Sequence, residues 1–74
     1  MKATYRAKFN ALQAMNNGYS FILIKRYNET VSVWLDDIIA TPIGEKVMEY
    51  GTPKYNLVDS THYMTFKELM NYNN

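Results

Sequence analysis

The longest unbroken apolar run in this chain is only four residues, Phe21–Ile24. A helix that crosses a bilayer needs about 20 apolar residues, so we expect no transmembrane span. A short run rich in β-forming side chains instead predicts a strand that is covered on both faces of a sheet or that is central in it. The 74 residues include no cysteine, which excludes a disulfide scaffold and a cysteine-ligated metal site and leaves room for one small domain, 1–74. No apolar stretch follows Met1 and Lys2, so we expect no secretory signal and a cytoplasmic protein.

Hydrophobic spacing and turn residues predict an α+β fold with the element order α-β-β-α-β-α. A helix is expected over 4–16, and the large apolar residues at helical spacing are taken as its buried face: Tyr5, Phe9, Leu12 and Met15. A hairpin of two strands over 19–27 and 30–35 follows. A third strand is expected over 54–58, with a continuation at 62–64. The sheet is therefore small and antiparallel, with about three strands and two or three short helices.

Two further helices are predicted from their end signals. A Thr-Pro pair at 41–42 has the residue types favoured at an N-cap and at the first helical position, which predicts a helix over 42–50. Thr65 and Glu68 have the spacing of a capping box, which predicts a C-terminal helix over 66–72.

The net charge of +1 conceals an asymmetry along the chain. Residues 1–28 carry five basic side chains and no acid, whereas residues 29–74 carry seven acids and three lysines, so the two halves are +5 and −4. Such asymmetry predicts a polarised surface or a partner of definite charge. The alternative is that both signs mix on the folded surface.

The acidic half supplies the candidate partner-binding residues. Glu45 and Glu49 would share one face of the helix predicted over 42–50, and the acids upstream would extend them into an anionic patch. Seven tyrosines cannot all be buried in so small a core, and tyrosine suits a contact surface because it joins a large apolar area to a polar tip. The residues expected at this surface are Asp36, Asp37, Glu45, Glu49, Tyr50 and Tyr55. The alternative for the glutamates is a solvated helix face.

The sequence contains no arrangement of residues that predicts catalysis. His62 is the only imidazole, and Asp59 and Ser60 in the same turn could not surround a substrate together with it. The three glycines are too scattered for a phosphate-binding loop. We therefore expect a protein that is not an enzyme and that has no cofactor and no metal site.

The basic N-terminal helix is the one feature that suggests contact with nucleic acid. Lys2, Arg6 and Lys8 on this helix, together with Lys25 and Arg26 on the strand that follows, could meet phosphates. The sequence has no helix-turn-helix pair, no zinc-finger ligands and no base-stacking strand motif, so direct nucleic-acid binding is disfavoured and is kept as an alternative.

The length, the lack of catalytic residues and the abundance of Asn and Tyr, which an AT-rich genome encodes, resemble the small early proteins of bacteriophages that infect Firmicutes. Within that group the chain resembles inhibitors of the bacterial DNA sliding clamp. The resemblance implies a homodimer, in the cytoplasm of the infected host, that sits in the central channel of the clamp and blocks its loading onto DNA. It also implies partial DNA mimicry, with the carboxylates facing a basic channel wall.

Binding to the polymerase-binding pocket of the clamp is disfavoured by the sequence. Ligands of that pocket usually carry a Gln followed by a Leu-Phe-like pair, whereas Gln13 is followed by Ala14 and Met15. Inhibition of another host or defence protein remains a further alternative.

Overall fold

The computed structural model describes residues 1–26, 29–51 and 61–72. Its elements are α1 (Tyr5–Asn16), β1 (Phe21–Arg26), β2 (Glu29–Trp34), α2 (Leu35–Ala40), β3 (Tyr50–Gly51), β4 (Thr61–Met64) and α3 (Phe66–Tyr72). The predicted α+β class is confirmed, with four strands in the described part of the chain where about three were expected. The strand predicted over 54–58 lies outside the described residues. None of the described helices is both long enough and apolar enough to span a bilayer.

The sheet is antiparallel, with the strand order β3-β2-β1-β4. Phe21 of the central strand β1 lies opposite Trp34 of β2 on one side and Met64 of β4 on the other. Successive side chains of a strand point to opposite faces, and Ile22 and Leu23 are both buried. The four-residue apolar run therefore forms a central strand that is covered on both faces, as predicted.

α1 begins at an N-cap, because the Ala7 amide donates to the Thr4 hydroxyl oxygen at 3.0 Å. Its bounds agree with the prediction, but its orientation does not. The core contains its alanines, with Ala11 1% and Ala14 6% exposed. Of the four residues predicted to be buried, three are exposed and Met15 is half-buried. The helix is apolar on two opposite sides, and the sheet and α2 pack against the side with small residues.

The helix predicted over 42–50 is wrong, and a helix occurs immediately before it. α2 carries Asp36 and Asp37 in its first turn, where carboxylates are favoured by the helix dipole. Thr41, predicted to start a helix, instead follows the end of α2, and its amide donates to the Asp37 carbonyl oxygen. A turn follows, in which Gly44 adopts a φ of 91°.

Segment 44–47 is held by the N-terminal residues instead of by helical hydrogen bonds. The Val47 amide donates to the Met1 carbonyl oxygen at 2.8 Å, and the Ala3 amide donates to the Glu45 carbonyl oxygen at 2.9 Å. These partners are more than 40 positions away in the sequence, so a local pattern could not predict them.

The predicted C-terminal helix has the predicted bounds, and its capping box is confirmed. The Glu68 amide donates to the Thr65 hydroxyl oxygen at 3.1 Å, and the Thr65 amide donates to the Glu68 carboxylate at 3.3 Å. The Phe66 ring lies over the sheet, 6.0 Å from the ring of Phe21.

Candidate interaction surface

The two predicted aspartates lie at the start of α2. Asp36 is exposed and Asp37 is half-buried. Asp36 shares a cleft with Met15 and Tyr19, which places it beside the C-terminal end of α1. Both carboxylates complement the positive end of α2, so each has a local structural role besides any role in recognition.

The two predicted glutamates lie near the N-terminus of the chain. Glu45 is exposed, and its carbonyl oxygen is bound by the Ala3 amide. Glu49 is half-buried, and its carboxylate forms an ion pair with the N-terminal amine of Met1. They do not share a helix face, because this segment is not helical.

The structure does not bring the four acids together into one patch. α1 and α2 run antiparallel, because Lys8 contacts the last residues of α2 while Met15 lies beside Asp36 at its start. The aspartates therefore lie near one end of α1 and Glu45 near the other, and a twelve-residue helix spans about 18 Å. The acidic side chains therefore form two separate sites, one near each end of α1.

The predicted tyrosines are placed differently. Tyr50 lies in the edge strand β3 and is 48% exposed. Tyr55 lies outside the described residues.

The basic half of the sequence does not fold into a simple basic surface. The Lys8 ammonium donates to the carbonyl oxygens of Ile38, Ile39 and Thr41, so it serves the fold. Lys2 lies opposite Lys46 in an isolated antiparallel bridge, and both are exposed. Lysines from both halves of the sequence therefore lie side by side.

The sequence interpretation missed a surface on α1, which we call the α1 stripe and define as Tyr5, Phe9 and Leu12. These side chains are 81%, 60% and 52% exposed. Tyr5 and Phe9, together with Arg6 and Asn10, line a shallow open depression. The spacing of the alanines at 3, 7, 11 and 14 could have revealed it, because this series forms a second apolar face.

The described residues offer no site for metal chemistry. Among them, no group of three or more His, Asp or Glu side chains could hold a metal ion. His62 is exposed on β4, and its sequence neighbours Asp59 and Ser60 lie outside the described residues. Comparisons of the chain with protein families, curated proteins and solved structures found no match.

Proposed function

We propose that this chain is a non-enzymatic bacteriophage protein that binds the DNA sliding clamp of its bacterial host and blocks clamp loading and DNA replication. The observation that carries the proposal is the two-sided character of α1. Its alanine side is buried in the fold, and the large side chains of its other side face solvent. A helix that is apolar on two opposite sides is expected to pack on both, which indicates a second macromolecule.

We choose the sliding clamp as the partner because the chain resembles clamp inhibitors in length and composition. The size of the folded chain is compatible with a position in the clamp channel. The principal extents of the chain are 33 × 27 × 18 Å, so its smallest dimension is of the order of the width of a DNA duplex. Such a body could occupy a channel that accepts duplex DNA. The exposed carboxylates of Asp36 and Glu45 would face the basic channel wall, and this is the extent of the proposed DNA mimicry.

A homodimer is part of the proposal. A core of this size rarely supplies more than about 3–5 kcal/mol of stability without a disulfide or a metal, so self-association would stabilise the fold. Sedimentation velocity across a range of concentrations tests the homodimer separately. A monomer at all concentrations would contradict the homodimer but not the proposed binding to the clamp.

The main alternative is a nucleic-acid-binding regulator that uses the basic face of α1. This alternative needs the basic side chains of α1 to contact phosphates, but the Lys8 ammonium already donates to three carbonyl oxygens of the fold. A gel shift at low salt tests it, and binding of DNA in the absence of the clamp would favour it. Inhibition of another host or defence protein would use the same surfaces on a different partner.

The test of the proposed function uses purified sliding clamp from a Gram-positive bacterium, with its clamp loader and primed DNA. We expect a stable complex without added nucleotide, and inhibition of loading at stoichiometric concentrations. The variant Asp36→Asn should slow association at low salt, whereas Glu68→Gln, which also removes one charge but can keep the capping box, should not. Absence of a complex at micromolar concentrations would contradict the proposal.

A further inference from the structure

We propose that the α1 stripe docks into an apolar groove on the protein partner, and that Arg6 meets a carboxylate at the edge of this groove. The inference depends on the proposed function because it takes a protein as the partner. It adds which element of the chain enters the interface and what chemistry the partner must present.

The spacing of the stripe is that of a helix recognised in a groove. Tyr5, Phe9 and Leu12 are at positions i, i+4 and i+7, so they follow one line along the helix. This is the anchor pattern of helix-in-groove recognition. Tyrosine is also among the residues that most often dominate interface energies.

The stripe is presented on a backbone that is already fixed. Thr4 caps the start of α1, Ala11 and Ala14 are buried, and Lys8 ties the helix to the end of α2. Binding would therefore order side chains but would not require the helix to fold, which reduces its entropic cost.

One edge of the stripe consists of hydrogen-bond donors. Arg6, Asn10 and Gln13 are exposed along it, and α1 contains no acidic residue. Within the described ranges, no ion pair involves Arg6. The complementary groove therefore presents acceptor groups along this edge, with a carboxylate opposite the guanidinium.

A second copy of the chain fits the stripe less well. Large side chains offer about 150–250 Å² each, so the exposed fractions of the stripe correspond to roughly 290–480 Å². A stable interface buries about 800 Å² per partner. Two convex helices would meet along a line and add little to this area, whereas a groove would also cover the flanking donors.

The test measures binding of the full chain to the purified sliding clamp. The double variant Phe9→Ala/Leu12→Ala should weaken the complex by at least about 30-fold, because it removes two of the three apolar side chains that would fill the groove. The matched control is Met48→Ala/Met70→Ala, whose side chains are 61% and 56% exposed and lie outside the stripe. The control should leave affinity within about twofold. Arg6→Glu should slow association about tenfold, and Arg6→Lys should retain most of the rate.

The outcomes separate this inference from the proposed function. If the wild-type chain binds the clamp and the stripe variant binds equally well, the inference is overturned and the proposed function stands. If the wild-type chain does not bind the clamp, both fail. If sedimentation velocity shows a wild-type dimer that the stripe variant converts to a monomer, a second copy covers the stripe and the inference is overturned. If a gel shift shows that the wild-type chain binds single-stranded DNA and that Phe9→Ala abolishes this binding, a nucleic acid is the ligand of the stripe. The inference is then likewise overturned.

Discussion

The ammonium group of Lys8 lies 2.5 Å from the carbonyl oxygen of Thr41, the residue that follows α2. It also donates to the carbonyl oxygens of Ile38 and Ile39, at 2.9 and 2.6 Å. The last carbonyl groups of a helix lack intrahelical partners and carry partial negative charge. One cationic side chain therefore satisfies three acceptors and joins α1 to α2.

We expect Lys8→Met to lower the free energy of unfolding by about 1–3 kcal/mol, because hydrogen bonds to a charged donor are among the stronger ones. Methionine keeps most of the apolar stem and removes only the ammonium group. Urea denaturation followed by circular dichroism measures the change. The control Lys2→Met removes an exposed ammonium and should stay within about 0.5 kcal/mol of wild type. Equal stability of both variants would show that Lys8 does not cap α2 in solution.

The orientation of α1 predicts opposite effects for two neighbouring positions. Ala11→Leu should destabilise the fold by about 1–3 kcal/mol, because Ala11 is 1% exposed and extra methylenes overpack the core. Leu12→Ala should change stability by no more than about 0.5 kcal/mol, since the Leu12 side chain is half exposed. If Leu12 were buried and Ala11 exposed, as the sequence predicts, Leu12→Ala would be the more destabilising substitution. Thermal unfolding of the two variants therefore distinguishes the two orientations of α1.

The bounds of α1 could be predicted from the sequence, but its buried side could not. Helical spacing identifies an apolar line along a helix, and in α1 both the large residues and the alanines form such a line. Which line is buried depends on how closely α2 and the sheet approach, and that depends on the tertiary fold. The sequence also names Asp36, Glu45 and Tyr50 as candidate partner-binding residues, and all three are exposed, whereas it does not distinguish the α1 stripe from a buried helix face.

The capping box of α3 predicts a local effect on helix stability. Thr65→Ala should cost about 0.5–2 kcal/mol, because it removes the acceptor for the Glu68 amide. Glu68→Gln should cost less than Glu68→Ala, because an amide oxygen can still accept from the Thr65 amide. Hydrogen exchange of the α3 amides measures both effects. Equal protection in Thr65→Ala and wild type would contradict the observed cap.

Two local signals for the start of a helix occur close together, one at the start of α2 and one just after its end. The Thr-Pro pair at 41–42 is typical of a helix start, yet Asp36 and Asp37 also suit a first turn, and the helix forms on them. Backbone hydrogen bonds to Met1 and Ala3 then hold the following residues in a turn at Gly44 and an isolated antiparallel bridge at Lys46. The two start signals, Asp36-Asp37 and Thr41-Pro42, lie five positions apart, and the long-range partners decide between them.

Gly44→Ala discriminates between these two conformations. In a helix interior the change should stabilise the protein by about 0.5–1 kcal/mol, because alanine loses less entropy than glycine. Gly44 instead has a φ of 91°, and its amide donates to the Ala3 carbonyl oxygen at 2.8 Å. Since an L-residue is strained at such a φ, we expect a loss of about 1–2 kcal/mol.

Gly51→Ala is the matched control for this substitution. Gly51 lies in β3 without a positive φ, and a Cβ atom there would meet no atom within 4 Å. Its substitution should therefore be neutral or slightly stabilising, by up to about 1 kcal/mol. Chemical denaturation of the two variants gives the comparison. A more stable Gly44→Ala protein would mean that segment 42–50 is helical in solution, and the contacts that link Glu45 and Val47 to the N-terminus would then have to be abandoned.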